Sequence, residues 1–442
     1  MSRAIPAVGP APAPAPDSDH GSTDRFPNHQ MFPLRADRMA DPDIPVPIEK
    51  KSATWNVAGY SWRGGAPRPM LFPFIDVLRG FAAISVVVYH VIMHFNWTGF
   101  PTSGPLVWFR TGWMGVDLFF VISGFVISLS AFGTLDKTAD TRKFLAHFAR
   151  HRALRIVPLH YATCLVFVVY IYPFMFFSLD GWKQFATHIL FIHNFFLMHQ
   201  GGINGVNWSL GDEVQFYILI MLTAFWLRQC PPWVIGVGAV AIAWTWRFFI
   251  YRMTDISGPL GVFPRFAYAT ELPGMLDEFA CGILLARFVR TKTGASFIAS
   301  NPMRLWAFPA ATLMMGTISF LIYWHNAAYW DSAWMVVGYK TLFCITCGLL
   351  VMSACSFNQK SLILISAPLR YLGTISYGIY LWHLSIIEAF KKLGWLSGPQ
   401  ALPAILILTI VFASASWHFF ERPITQRFAR RLSADAARTP GL

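Results

Sequence analysis

The sequence predicts an all-α integral membrane protein: a bundle of about ten transmembrane helices with one re-entrant or interfacial helix. Three observations carry this prediction. Of 442 residues, 55% are hydrophobic and 16% aromatic, while only 13% are charged. Soluble domains carry nearer a quarter charged residues. Apolar runs long enough to cross a bilayer also recur along the chain, and basic residues cluster beside them.

The order of the apolar runs predicts how the chain crosses the membrane. An eleventh apolar segment, 183–200, is shorter than the others and contains three histidines and an asparagine. Without it, the strongly basic loop 136–158 and the basic segments 287–292 and 427–431 all lie on one side of the membrane, as the positive-inside rule requires. We therefore expect 183–200 to be re-entrant or interfacial, and both termini to be cytoplasmic. The ten predicted spans are 72–95, 113–132, 156–177, 208–227, 233–250, 272–288, 305–324, 333–354, 371–390 and 402–420.

Composition divides the chain into three regions. Residues 1–70 are rich in Pro, Ala and Gly without an apolar core pattern, which predicts a disordered cytoplasmic tail. Residues 71–424 form the transmembrane domain, and 425–442 form a short basic cytoplasmic tail. The net charge of +13 comes largely from cations beside apolar spans, where they set orientation and meet anionic lipid. We expect the lipid bilayer, and not nucleic acid, as the partner of these cations.

The first span carries two ionisable residues, Arg79 and His90, eleven positions apart. At about 100° per residue, eleven steps make about three turns, so both side chains lie on one helix face, roughly 16 Å apart along the axis. An intramembrane charge is costly, usually functional, and usually faces the protein interior. The spacing therefore predicts a polar site inside the bundle.

Other ionisable residues within the spans are candidates for the same site or for helix-to-helix contacts. Lys340 is expected to snorkel or to pair with a carboxylate. Glu213 lies about one turn into its span, where it either meets other buried polar groups or, with Asp212, stabilises a helix N-terminus. Asn207 or Ser209 is the candidate cap of that helix. Other ionisable residues in the spans include Asp117, Asp277, Glu278, His383 and Glu388.

Two arginines precede the third span in the sequence R-A-L-R, at Arg152 and Arg155. Their i,i+3 spacing places them on one helix face. They either set topology or form a phosphate clamp, since guanidinium groups chelate phosphate well. The sequence around them does not distinguish these alternatives.

Residue pairs with metal-ligand spacing also occur. His90 with His94, and His147 with His151, are spaced i,i+4, but neither pair has a third ligand in its sequence context. Cys344 and Cys347 have C-x-x-C spacing within an apolar helix core, which favours small packing residues over a redox or metal pair. No metal is expected.

Five motifs follow one another along the chain. The first is Arg79-x10-His90 in the opening span. The others are GWMGVDLFFVISGFVIS (112–128), RALRIVP (152–158), NWSLGDEVQFY (207–217), and the closing pair SYGIYLWHLSII (376–387) and FFERPI (419–424). In this order they resemble the motifs of the acyltransferase-3 family of integral-membrane O-acyltransferases, and the resemblance covers roughly residues 73–424.

The resemblance implies a multi-pass protein of the bacterial inner (plasma) membrane that moves an acyl group, usually acetyl, from cytoplasmic acetyl-CoA. The acceptor in this family is generally a hydroxyl of an envelope polysaccharide, a lipid-linked sugar or another exported molecule. The resemblance also implies that the Arg/His pair and the R-x-x-R segment matter for activity. Many relatives carry a fused extracytoplasmic esterase-like domain; this sequence ends shortly after FFERPI, so we expect it to act alone or with a separate partner.

Acyl transfer from a thioester to a hydroxyl needs a base, and His90 has a suitable side chain for that task near neutral pH. Either Asp117 or Glu213 is the candidate carboxylate that orients it. Ser123 and Ser209 are candidates for a covalent relay, although direct transfer is simpler. These roles follow from the resemblance together with the chemistry, and helix geometry alone does not assign them.

The donor side of the reaction needs cations for the phosphates of the coenzyme. Arg152 and Arg155 are the candidate donor ligands on the cytoplasmic side. Arg79 lies near the cytoplasmic end of the first span, where it either holds a phosphate or polarises the thioester carbonyl.

Two other function classes fit the composition. Buried Arg, His, Lys and carboxylate groups in a ten-helix bundle also suit a proton-coupled transporter or flippase for a glycan or small metabolite. The absence of a detectable sequence repeat and the order of the motifs favour the acyltransferase. A non-catalytic partner in glycan assembly is the third alternative.

Overall fold

The structure, a computed structural model, describes residues 56–57, 60–61, 72–138, 140–299, 302–326, 328–357, 360–394, 396 and 398–427. Most of the predicted tails therefore lie outside the described residues. Asn56–Val57 and Tyr60–Ser61 pair as the short antiparallel strands β1 and β2. The rest of the regular structure described is helical, which confirms the all-α class.

Fifteen α-helices are described, and short 3₁₀ or π segments adjoin several of them. The 3₁₀ segments are Pro105–Met114, Pro173–Phe177, His193–Phe195 and Tyr329–Asp331; the π segments are Met335–Tyr339 and Trp417–Glu421. The α-helices are α1 Pro73–His94, α2 Gly115–Leu135, α3 Thr141–Tyr170, α4 Leu179–Ile189, α5 Trp208–Gln229, α6 Pro232–Met253, α7 Phe263–Ala269, α8 Leu272–Val289, α9 Lys292–Ala299, α10 Pro302–Trp324, α11 Lys340–Ser356, α12 Lys360–Ile365, α13 Ala367–Thr374, α14 Ser376–Leu393 and α15 Gly398–Ser416.

Eight helical segments in the described part of the chain are long and apolar enough to cross a membrane. They match eight of the ten predicted spans, and the multi-pass class is confirmed. The other two predicted spans are α8 and α14, each of 18 residues. Each is about 27 Å long, close to the thickness of the hydrocarbon core. Charged residues, such as Asp277 and Glu278 in α8, make these two helices less apolar.

Helices α3 and α5 run in opposite directions, which bears on the segment predicted to be re-entrant. Near the start of α3, the rings of Phe144 and Phe225 lie 5.7 Å apart. Farther along α3, Cys164 Sγ accepts a hydrogen bond of 3.3 Å from Asn207, the residue just before the start of α5. The end of α3 and the start of α5 therefore lie on the same side of the membrane, so the segment between them does not cross it. Helix α4 of this segment has 11 residues, about 16 Å, which is too short to cross.

Helices α1 and α14 run in the same direction, and this shared direction supports a total of ten membrane crossings. Arg79 Nη2 donates to Ser376 Oγ at 3.1 Å near both helix starts. His94 Nδ1 lies 2.9 Å from Glu388 Oε1 near both helix ends. Parallel helices must both be odd-numbered or both even-numbered crossings. The order α1, α2, α3, α5, α6, α8, α10, α11, α14 makes α14 the ninth, whereas a crossing at 183–200 would make it the tenth.

The basic segment 136–158 is mostly helical, and its prediction as a loop was wrong. Helix α3 begins at Thr141, where the Asp140 side chain accepts from the backbone N–H groups of Arg142 and Lys143. Lys, Arg, Ala and Leu, which are frequent in this segment, are strong helix formers, and the helix continues through Pro158. Arg152 and Arg155 therefore lie on helix α3, which continues into the third span.

Close helix contacts depend on glycines at a few positions. A Cβ atom at Gly124 of α2 would overlap the carbonyl of Phe279 in α8, and one at Gly282 of α8 would overlap the carbonyl of Val121 in α2. Small residues let membrane helices approach closely and gain van der Waals contact. This contact fixes α2, which carries one wall of the candidate site.

A buried ion pair joins two helices of the bundle. Arg247 of α6 makes a bidentate pair with Asp277 of α8, with bonds of 2.7 and 3.0 Å, and both side chains are almost fully buried. Thr341 Oγ1 also donates to Asp277. Asp277 was a candidate for the polar site or for helix-to-helix contacts. The observed contacts support the second alternative, in which Asp277 holds helices together.

Candidate active site

A cavity between five helices brings together most of the candidate donor-binding residues. Arg79 of α1, Arg152 and Arg155 of α3, and Glu213 of α5 all line it. Its lining thus contains three guanidinium groups and one carboxylate. The remaining lining residues are Val116, Phe119, Phe120, Ile122, Ser123, Val126, Ile127, Ser209, Leu210, Tyr217, Ser376, Tyr377 and Tyr380.

The charged group of Arg152 is buried and has an unused donor. Its side chain is 5% exposed and its guanidinium lies 5.4 Å from the Phe148 ring and 5.5 Å from the Tyr217 ring. Within the described part of the chain, Arg152 Nε has no hydrogen-bond partner. A buried, unpaired donor is costly, and the cavity beside it is a place where an anion would satisfy it.

Arg79 is held at the start of α1 by two hydrogen bonds. Its Nε and Nη2 donate to Ser376 Oγ at 3.3 and 3.1 Å. Asp76, Glu213 and Arg155 lie within electrostatic reach of it. Glu421 is also within reach of Arg79, so nearby carboxylates offset part of the positive charge around the cavity. Within the described part of the chain, the other N–H donors of the guanidinium have no hydrogen-bond acceptor and can bind a ligand.

Glu213 is held in the cavity wall by two hydroxyl groups. Ser123 Oγ donates to Glu213 Oε1 at 3.0 Å, and Tyr217 Oη donates to the same atom at 2.7 Å. The alternative of helix capping is wrong, because Glu213 makes these contacts and Asp212 Oδ1 accepts from Asn194 at 2.9 Å. Asn207 is the N-cap residue but makes no side-chain capping bond.

Asp117 is paired with a lysine, away from the proposed base. Lys340 Nζ donates to Asp117 Oδ1, and Lys340 also lies 3.7 Å from Glu278 Oε1. All three side chains are at most 5% exposed. The pairing of Lys340 with a carboxylate is confirmed. Of the contacts described, none joins Asp117 or Glu213 to His90, so the expectation that one of them orients His90 is corrected: the lysine and the two hydroxyls occupy these carboxylates.

His90 instead contacts a second histidine. His90 Nδ1 lies 3.1 Å from His383 Nε2, and His383 is fully buried in α14. One turn farther along α1, His94 pairs with Glu388. The three imidazoles lie close together, with ring centroids 5.0 Å apart for His90 and His383 and 6.0 Å apart for His90 and His94.

The histidine pair and the cationic cavity adjoin each other along α1 and α14. Tyr380 lines the cavity, and its ring centroid lies 5.9 Å from that of His383. Arg79 and His90 are roughly 16 Å apart along the helix axis. The site therefore has an anion-binding end and an imidazole end on the same two helices.

Helix α14 supplies residues to which the sequence analysis gave no role. Ser376, Tyr380 and His383 are spaced i, i+4 and i+7, so they share the face turned to α1. Ser376 holds Arg79, Tyr380 lines the cavity and His383 contacts His90. The spacing in SYGIYLWH was the signal that could have identified them.

The other residue pairs with metal-ligand spacing are not arranged, in the described part of the chain, to coordinate a metal ion. No group of three His, Cys, Asp or Glu side chains in the described residues is arranged to hold a metal ion. Cys344 and Cys347 are buried free thiols, and Cys344 Sγ donates to the backbone carbonyl of Asp277 at 3.6 Å.

These features define a multi-pass membrane protein with a buried cationic cavity beside a pair of histidines. The chain belongs to the acyltransferase-3 family, because the family model described as "Acyltransferase domain" matches residues 72–418. This range includes Arg79, His90, the R-A-L-R segment and all of α14. The expected family is thus confirmed.

Among curated proteins, the chain is similar to several acetyltransferases. It is 28% identical over 379 residues to peptidoglycan O-acetyltransferase OatA of Listeria monocytogenes, covering 80% of this chain and 55% of that protein. It is 27% identical over 380 residues to the putative peptidoglycan O-acetyltransferase YrhL of Bacillus subtilis, with the same coverage. It is 29% identical over 337 residues to the putative acetyltransferase ORF330 of Acidianus two-tailed virus, covering 74% of this chain and 86% of that protein.

The chain therefore spans only about half the length of the two peptidoglycan O-acetyltransferases. No solved structure matches the chain.

Proposed function

We propose that the protein is a membrane O-acetyltransferase that moves an acetyl group from acetyl-CoA to a hydroxyl of an envelope polysaccharide. Family membership and the names of the similar proteins support the reaction class. The observation that carries the proposal is the arrangement along α1 and α14: a cavity containing buried Arg152 with an unused donor, and His90 farther along the same bundle.

In this proposal, the cationic cavity binds the phosphates of the donor. Arg152 and Arg155 act as phosphate ligands, and Arg79 binds a phosphate or polarises the thioester carbonyl. The pantetheine arm of acetyl-CoA is a long, narrow chain between the phosphates and the thioester. It suits the separation of roughly 16 Å between Arg79 and His90 along α1.

At the imidazole end, His90 acts as the general base. Its neutral ring takes the proton from the acceptor hydroxyl while the hydroxyl oxygen forms a bond to the thioester carbonyl carbon. The carbon–sulfur bond then breaks, the acetyl group stays on the acceptor oxygen, and the leaving thiolate takes the proton from His90. Direct transfer of this kind needs no covalent relay through Ser123 or Ser209.

The proposed orientation places both termini and the cationic cavity on the cytoplasmic side. The support is the positive-inside rule together with the parity of α1 and α14. Acetyl-CoA is a cytoplasmic metabolite, so the cavity at the start of α1 would then face the donor pool. His90 would lie nearer the opposite face, from which an exported acceptor arrives.

We expect Arg152→Ala and Arg155→Ala each to weaken acetyl-CoA binding by roughly ten- to a hundredfold. Each substitution removes one charged hydrogen-bond donor, worth about 1.5–3 kcal/mol. Saturating acetyl-CoA should restore much of the turnover, because the base is untouched. Isothermal titration calorimetry in detergent measures the affinity.

Arg150→Ala is the matched control, because Arg150 is exposed on the same helix and does not line the cavity. Its acetyl-CoA affinity should equal that of the wild type. Unchanged affinity in both Arg152→Ala and Arg155→Ala would remove the donor site from this cavity.

A further inference from the structure

The contacts of His90 and His383 determine which ring nitrogens carry protons. His383 Nδ1 lies 3.2 Å from the backbone carbonyl oxygen of Ile379. A carbonyl oxygen only accepts hydrogen bonds, so His383 Nδ1 must carry the proton and donate it. A neutral imidazole has one N–H and one lone pair. The lone pair of His383 is therefore on Nε2, which faces His90.

This assignment fixes the partner ring as well. Because His383 Nε2 accepts, His90 Nδ1 at 3.1 Å must be the donor. The opposite hydrogen-bond direction would point the lone pair of His383 Nδ1 at the carbonyl oxygen of Ile379, which is unfavourable.

We propose that His383 is a positioning residue that holds His90 in the tautomer protonated at Nδ1, which leaves Nε2 as the basic atom. The inference rests on the proposed function, since it assigns a partner to the base of that reaction. When Nε2 takes the proton from the acceptor hydroxyl, Nδ1–H continues to donate to His383, and the hydrogen bond to the resulting imidazolium becomes stronger. A buried neutral imidazole thus does here what a carboxylate does in the catalytic triads of serine hydrolases.

The surroundings explain why an imidazole, and not a carboxylate, has this role. His383 is fully buried within the span of α14. An ionised carboxylate there would need a cation to compensate it. Glu388, the carboxylate of α14, pairs instead with His94 and with Lys391, which is 40% exposed.

The test compares two substitutions that differ in whether they can accept a hydrogen bond. His383→Leu removes the acceptor, and kcat should fall by roughly ten- to a hundredfold, the range seen when the hydrogen-bond partner of a metal-bound imidazole is lost. The acetyl-CoA dissociation constant should stay unchanged, because His383 does not line the cavity. His383→Gln places an amide oxygen near the position of Nε2 and should recover most of the lost kcat. Full kcat in well-folded His383→Leu, or equal losses in both variants, would overturn the assignment.

A second readout needs neither activity nor a variant of His383. ¹⁵N NMR of histidine-labelled protein in lipid distinguishes protonated from unprotonated ring nitrogens, and comparison with His90→Gln assigns the signals of His90. The inference predicts a protonated Nδ1 and an unprotonated Nε2. The opposite assignment overturns it, even if the enzyme transfers acetyl groups. Conversely, a protein that transfers no acetyl group but has the predicted tautomer contradicts the proposed function and supports the arrangement of the two rings.

Discussion

His90→Ala is expected to reduce acetyl transfer by roughly 10²–10⁴-fold, the range for loss of a general base. Acetyl-CoA should still bind with near-normal affinity, because the cationic cavity that binds phosphates is roughly 16 Å away along α1. Turnover, donor affinity and detergent-stable yield should be measured on the same preparation. The expected pattern is a large loss of kcat with little change in the other two quantities.

His325→Ala provides a control for loss of an imidazole elsewhere. His325 is exposed, contacts the backbone carbonyl of Leu321 and does not line the cavity. Its turnover should match the wild type. If His90→Ala loses yield and stability along with turnover, His90 is a packing residue; if a well-folded His90→Ala protein keeps near-normal turnover, the base assignment is wrong.

Lys340→Met is expected to destabilise the folded protein by about 3–5 kcal/mol, the cost of breaking a buried ion pair. The lysine stands between Asp117 and Glu278, and its removal leaves two buried carboxyl groups without a cation. Met is close to lysine in side-chain length, so the loss of stability reflects the lost charge more than a change in side-chain volume. Thermal unfolding followed by tryptophan fluorescence in detergent measures the change.

The double variant Asp117→Asn/Lys340→Met separates a structural role of Asp117 from a catalytic one. It removes both charges of the pair at nearly constant volume, and such replacements often restore stability. We expect part of the lost stability to return, since Glu278 still lacks a cation in the double variant. Turnover should stay near the wild-type value, because among the described contacts Asp117 pairs with Lys340 and not with His90. A stable double variant without turnover would place Asp117 in the chemistry.

The sequence was sufficient for the features that depend on local pattern. Long apolar runs gave the spans, and charge on flanking segments correctly excluded 183–200 as a crossing, which α3 and α5 confirm by running antiparallel. The single-face placement of Arg79 and His90 follows from helix geometry, and both side chains contact the same helix, α14. These results need only the 3.6-residue period and the thickness of the bilayer.

Partners distant in sequence could not be predicted in the same way. Asp117 and Lys340 are 223 positions apart, and His90 and His383 are 293 positions apart. Both carboxylates that were candidates for orienting His90 lie in spans that pack against the site. Their positions in the sequence could not show that they form contacts with other groups. Assignment of Arg152 and Arg155 to a loop failed for another reason: basic residues mark the side of the membrane, but they do not interrupt a helix.

The most direct test of the proposed function is acetyl-CoA binding and consumption by the purified protein in lipid nanodiscs, with and without cell-envelope glycan. The account predicts that acetyl-CoA binds without glycan, and that added glycan causes release of the free CoA thiol and gains the mass of one acetyl group per transfer. His90→Ala protein should bind acetyl-CoA and release almost no thiol. A wild-type protein that neither binds nor consumes acetyl-CoA would contradict the account and favour a transporter or a non-catalytic partner.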